Sequence, residues 1–353
     1  MPLGADIGLR GWIVLATLLA AAAPPTPAPL PVHIGGRVIA EPDGSFSFGW
    51  PGVYFESRFR GRSVRVRFGA PAEHVRLLVD GEAKRLFIKP GSVDEIVTGL
   101  KPGRHVVRLE KMTESQSGGG RFFGFFPTAG DVALPAPPRG RQIEFIGDSY
   151  TVGYGNSSTH HDCSAAQVHD TTDTQQAFGP LVARRFDADY RINAYSGFGI
   201  IRNYGGGVRG LTLPAIYPRL KPDDAAHLER DRGEWRPQLI VINLGTNDFS
   251  TPLKPDEPWR DRAAFEAAYR SAYAAFVRDI HARQPKANFI LMGSEDFLPQ
   301  VRQVAASLAM PDQVTTLLFS GLDHGGCQFH PSLADDRLLA DSITKAIGRL
   351  STW

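Results

Sequence analysis

Cysteine is scarce: only Cys163 and Cys327 occur in 353 residues. One pair is too few for a zinc ribbon or a disulfide scaffold, but it can make a single bridge in an oxidising compartment. An excess of one charge is also missing. Lys+Arg 39 against Asp+Glu 37 leaves +2, with no long basic run, so there is no electrostatic case for nucleic acid or anionic lipid as a partner. No stretch approaches the ~18 or more apolar residues of a membrane span. The signatures of several enzyme classes are absent: no GxSxG elbow, no HExxH, no Walker loop and no complete GxGxxG.

What is present is a soluble globular composition, 42% hydrophobic and 22% charged, in a chain long enough for two domains. Gly 37 and Pro 27 favour many turns and a β-rich portion. Residues 11–23, GWIVLATLLAAAA, form a short apolar block after Arg10 that ends in small residues. With a Pro-rich stretch behind it, this block predicts a signal peptide over residues 1–23, although Asp6 weakens the basic start. A mature chain beginning near Pro24 would then be secreted or periplasmic.

From residue 32 to 130 the pattern has period two. In SVRVRF, residues 63–68, Val64, Val66 and Phe68 share one face and the arginines the other. Asp80-Gly81 is a favoured hairpin turn between two such runs. Strands at this spacing predict an antiparallel sandwich. DVALPAPPRG, residues 131–140, reads as a Pro-rich linker. Beyond it, from 141 to 353, apolar runs at 142–146, 190–194, 239–243, 288–292 and 314–319 alternate with helical stripes, such as Phe265, Tyr269, Ala272, Phe276 and Ile280. These runs predict parallel strands buried on both faces, in an α/β domain.

In such sheets ligands bind beyond the carboxyl ends of the strands. The turns there read Gly147-Asp148-Ser149, Ser196-Gly197-Phe198-Gly199 and Gly245-Thr246-Asn247-Asp248, with Cys327-Gln328-Phe329-His330-Pro331 after the fifth strand. A hydroxyl at a sharp turn, amide donors and a base are the ingredients of nucleophilic acyl transfer.

Four blocks in order, IEFIGDSY, NAYSGFG, VINLGTND and a late His-Pro, resemble the SGNH (GDSL-type) hydrolases. SGFGIIRNYGG, VINLGTNDFS and CxxHPS, together with WPGVYFESRFRG, LLVDG and LEKMTESQSGGGRFFGF in the first half, resemble more closely the carbohydrate esterase family 2 acetyl esterases. The resemblance implies an SGNH-type three-layer fold with a five-stranded parallel sheet, preceded by a jelly-roll-like β-sandwich. It also implies a serine esterase that removes O-acetyl groups from polysaccharides or oligosaccharides, with no cofactor and no metal. A lipase or thioesterase, or a non-catalytic carbohydrate-binding protein, are the alternatives.

Carried over residue by residue, Ser149 is the nucleophile, which by itself also reads as a helix N-cap. His330 is the base. The oxyanion hole combines the N–H groups of Ser149 and Gly197 with the Asn247 amide, Gly199 competing with Gly197. Asp148 braces the serine turn. The family usually keeps an Asp three residues before the His, and here that position is Cys327. Asp323, and more weakly Asp335 or Asp336, are acids that could orient His330; otherwise a backbone carbonyl does so, in a Ser-His dyad. A Cys163–Cys327 bridge would brace the histidine loop, with free thiols as the alternative. His160, His161, Asp162 and His169 lack regular ligand spacing and read as a solvated loop. Trp235, Trp259, Tyr204 and Phe249 are aromatics near the crevice loops, for sugar stacking or packing. The expected partner is an acetylated carbohydrate, and the oligomeric state is left open.

Overall fold

The computed structural model describes residues 28–128, 130–136, 139–230 and 233–350; the expected leader at 1–23 lies outside them. The first half is built from short strands: β1 (Val32–Gly35), β2 (Val38–Ala40), β3 (Phe46–Phe48), β4 (Tyr54–Gly61), β5 (Val64–Ala70), β6 (His74–Val79), β7 (Glu82–Ile88), β8 (Gly91–Val97), β9 (Gly103–Lys111), β10 (Gly120–Pro127) and β11 (Val132–Leu134). They make two antiparallel sheets, ordered β1-β4-β9-β6-β7, with β11 beside β4, and β2-β3-β10-β5-β8. The alternation in β5 is the cause. Val64, Val66, Phe68 and Ala70 are buried between the sheets while Arg65 and Arg67 face outward. Each fully buried Val or Phe side chain contributes about 1.5–3 kcal/mol. Phe55 stacks on Phe122 across the core, ring centres 4.1 Å apart. Asp80 and Gly81 take φ of 55° and 81°, the positive pair that a two-residue hairpin turn requires.

The segment expected as a linker begins as a strand. Val132–Leu134 pairs antiparallel with Arg58–Arg60, and Arg139 reaches Glu56 at 2.7 Å. Three residues are too few to show an alternation, so the proline count dominated the sequence pattern.

The second half contains β12 (Arg141–Gly147), α1 (Ser149–Val152), α2 (Ala165–Thr171), α3 (Phe178–Arg185), β13 (Ala188–Ala194), α4 (Leu213–Ile216), β14 (Leu239–Asn243), α5 (Thr246–Phe249), α6 (Arg262–Arg283), β15 (Asn288–Gly293), α7 (Leu298–Ser307), β16 (Val314–Leu318) and α8 (Leu333–Ile347). Its five strands are parallel, in the order β13-β12-β14-β15-β16. β14 is buried along its whole length, as an inner strand of a covered sheet should be. β16 departs from the expectation of two buried faces. It is the edge strand of the sheet, with Thr315 and Thr316 half-buried and Leu318 40% exposed, and among the described residues no strand pairs with its outer side. The chain leaves β12 for β13 on one side and returns to β14 on the other, which puts a topological switch point at the carboxyl end of β12.

The sandwich packs against the β13 side of this sheet. Tyr54 donates a hydrogen bond to Asp189, Arg108 donates to the Tyr190 hydroxyl at 2.6 Å, and Arg76 pairs with Asp173 at 3.0 Å. Gln175 donates to the carbonyls of Gly52 and Lys111 at 3.1 and 3.0 Å. These contacts cover an edge that would otherwise present unpaired backbone.

Candidate active site

Ser149 stands where β12 turns into α1. Asp148 caps that short helix, its Oδ1 accepting from Tyr150 N–H at 3.1 Å. A Cβ at Gly147 would run into Thr151 Oγ1 and the Asn243 carbonyl, so the turn admits only glycine there. Asp148 is completely buried, and burial pushes its carboxyl up to about 7. It acts as a brace: its Oδ2 also accepts from Asn247 Nδ2 at 3.2 Å.

Beside Ser149 lie the ends of β13 and β14. Gly197 has φ of +83° and open space around its missing Cβ. Neither Ser149 N–H nor Gly197 N–H donates to a protein acceptor among the described residues. Gly199 N–H, of the competing glycine, donates to Asn203 Oδ1 at 3.1 Å. The Asn247 amide donates to the Phe198 carbonyl at 2.9 Å and, more loosely, to Asp148. Asp248 explains why the SGFG and GTND blocks belong together. Its buried carboxylate accepts from the N–H groups of Ile200, Ile201 and Arg202 at 2.9, 3.0 and 3.0 Å, and burial raises it to about 6.

His330 Nε2 lies 2.9 Å from Ser149 Oγ. Its Nδ1 faces the carbonyls of Cys327 at 3.1 Å and Gln328 at 3.2 Å. Carbonyls only accept, so Nδ1 carries the proton and Nε2 offers its lone pair to the serine hydroxyl. Burial holds the imidazole below its ordinary range, with the two carbonyls acting in the opposite direction. Asp323 turns elsewhere, accepting from Gly325 N–H at 2.7 Å. Asp335 accepts from the N–H groups of Asp323, His324 and Ser332, and Asp336 from Asn156 and Phe178. None of the three acids is a hydrogen-bond partner of His330.

The histidine loop is strained and tethered. Gln328 and Phe329 take φ of 51° and 59°, each at a cost of about 1–3 kcal/mol. Cys163 and Cys327 form a disulfide. Around it, Cys327 N–H donates to Gly155 O at 3.2 Å and Gln328 N–H to His161 O at 2.7 Å. Tyr154 lies against the His330 ring at 4.3 Å and donates to Gln328 Oε1 at 3.0 Å.

Two contributors carry no mark in the sequence. Tyr154 is one, since nothing in its type or spacing sets it apart. The other is Glu114, on the loop after β9: both its oxygens lie within 2.9 Å of Ser196 Oγ, next to Gly197, and burial raises its carboxyl to about 7. Ser115 donates to the Ala194 carbonyl at 2.7 Å, so a sandwich loop grips the end of β13. Of the four aromatics near the crevice loops, Tyr204 is 63% exposed. Trp235 is buried against Glu144, Phe249 packs among Phe265, Tyr269 and Phe297, and Trp259 lies on Phe265. His160, His161 and Asp162 are exposed, and His169 faces a different set of side chains.

The family model for the carbohydrate esterase 2 N-terminal domain matches residues 34–137, and that for the GDSL-like lipase/acylhydrolase family matches 145–334. An acetylxylan esterase / glucomannan deacetylase from Cellvibrio japonicus (strain Ueda107) is 46% identical over 96% of this chain and 95% of its own length. The chain belongs to carbohydrate esterase family 2. As a family 2 esterase it is an ester hydrolase of the GDSL type, and solved family members share its two-part architecture. A carbohydrate esterase structure described for divergent catalytic and non-catalytic binding functions of its active site has a TM-score of 0.87 and 45% identity, covering 92% of this chain and 99% of that one. A family two esterase from Clostridium thermocellum, solved in complex with cellohexaose, has a TM-score of 0.78 and 28% identity over 90% and 98% of the two chains.

Proposed function

We propose that this esterase removes acetyl groups from polysaccharides or oligosaccharides of the acetylated xylan or glucomannan type, with Ser149 as nucleophile and His330 as base. The observation that carries the reading is the 2.9 Å approach of His330 Nε2 to Ser149 Oγ, with Nδ1 held on two backbone carbonyls. Ser149 O–H gives its proton to Nε2 as Oγ attacks the acetyl carbonyl. The imidazolium then protonates the departing sugar oxygen. Water, deprotonated by His330, attacks the acetyl-enzyme and releases acetate.

The oxyanion is received first by the N–H groups of Ser149 and Gly197, which have no protein acceptor among the described residues. Asn247 joins by exchanging its longer contact, to Asp148, for the developing charge. A carbonyl cannot offset the imidazolium charge as a carboxylate does, but it fixes the tautomer. Near-neutral net charge suits an uncharged glycan. We further infer a sandwich domain, a short connection and a hydrolase domain, and an exported protein, which the disulfide supports.

The test is acetate release from acetylated xylan and glucomannan, beside p-nitrophenyl acetate and octanoate. Wild type should release acetate and prefer the acetyl ester, and Ser149→Ala should lose about 10⁴-fold or more of the rate. Preference for octanoate would point to a lipase, and a fully active Ser149→Ala would remove the serine from the mechanism.

A further inference from the structure

Among the described residues, one cluster of ligating side chains lies outside the ester chemistry. His74 opens β6 in the sandwich, while His169 and Asp170 lie in the last turn of α2, in the same excursion that carries Cys163. One ligand atom from each residue lies within 4.8 Å of those of the other two. Nε2 of His74 and Nε2 of His169 are both buried and make no hydrogen bond. His74 Nε2 is already 3.4 Å from Asp170 Oδ1. That spacing matches the ligand-to-ligand edge of a tetrahedral zinc site, about 3.3 Å for bonds of about 2.0–2.1 Å. The other nitrogen of His169 lies 3.3 Å from Ser117 Oγ, the kind of outer contact that orients a ligating imidazole.

We propose that His74, His169 and Asp170 bind one divalent cation of the zinc class, which ties the sandwich to α2. Two imidazoles and one carboxylate suit zinc over calcium or magnesium, which prefer oxygen, and a water completes four-coordination. Asp170 is exposed and at a helix end, so its side chain can move the remaining distance. The competing charge is Lys89, whose Nζ lies 3.4 Å from Asp170 Oδ1 on a side chain 43% exposed. The neighbouring Glu73 is engaged by Lys111 at 2.8 Å and does not enter the set.

The site is tested by titrating chelator-treated, folded protein with Zn²⁺ against a chromophoric chelator, with melting temperature read in parallel. Wild type should take up one tight equivalent and melt at a higher temperature. Asp170→Asn and His169→Gln should each weaken that equivalent more than about 100-fold and abolish the melting shift, since loss of even an outer-shell partner costs about 10–100-fold. Lys89→Gln should tighten it, and Ser149→Ala should keep it. Both ligand variants change half-buried or exposed side chains, and if His169→Gln does not fold, Asp170→Asn decides. Absence of a tight equivalent in wild type, or its retention in Asp170→Asn, would overturn the proposal.

Discussion

The two partners of the 2.9 Å Ser149–His330 contact are held in opposite ways. Ser149 sits at the end of an inner strand of the sheet, capped by Asp148 and backed by a glycine with no room for a side chain. His330 sits on a loop with two consecutive left-handed, non-glycine residues, held by a disulfide and by carbonyls of its own turn. The serine inherits its position from the sheet. The histidine loop is instead cross-linked to the excursion after Ser149, a tether that opposes relaxation of its strained backbone.

Three changes bear on that contrast. On the serine side, Asn247→Ala should lower kcat on p-nitrophenyl acetate by about 10²–10³ with little change in KM. A loss under about threefold would mean that the two backbone donors suffice. On the histidine side, the paired Cys163→Ser and Cys327→Ser variant should lose about 10- to 100-fold in kcat, since a misplacement of about 1 Å can cost about 10². It should also melt about 3–10 °C lower, for a bridge of this span stabilises by about 2–5 kcal/mol. If melting falls while kcat holds, the bridge stabilises the fold without placing the base. The smallest effect is in the pH profile. His330 must be neutral to act, and its pKa is lowered in the fold, so kcat/KM should rise with pH along an acid limb whose midpoint lies below the ordinary 6.5. A midpoint above 7 would mean that a carboxylate supports the imidazole in solution.

The same contrast separates what is legible in the sequence from what is not. Apolar runs such as LIVI at 239–242 mark buried parallel strands because burial on both faces disfavours polar positions along the strand. The turns after them follow from the sheet, so Ser149, Gly197 and Asn247 stand out by their place behind such runs. The histidine loop obeys no such rule. Asp323 is a reasonable orienter by residue type and nearness in sequence, but its carboxylate folds back on Gly325. Glu114 comes from the other half of the chain, and the strand at 132–134 is too short to show a period. Contacts made by tertiary packing between loops leave no local signature.

Orientation of His330 by carbonyls in place of an acid is the central claim, and Asp323→Asn tests it most directly. Asparagine keeps an oxygen for the Gly325 N–H, so the loop retains its turn while the charge is removed. The measurement is kcat/KM for p-nitrophenyl acetate across pH. The carbonyl arrangement predicts a value within about threefold of wild type and an unchanged acid limb; a loss approaching 10⁴-fold, about what removal of a true triad acid costs, would contradict it.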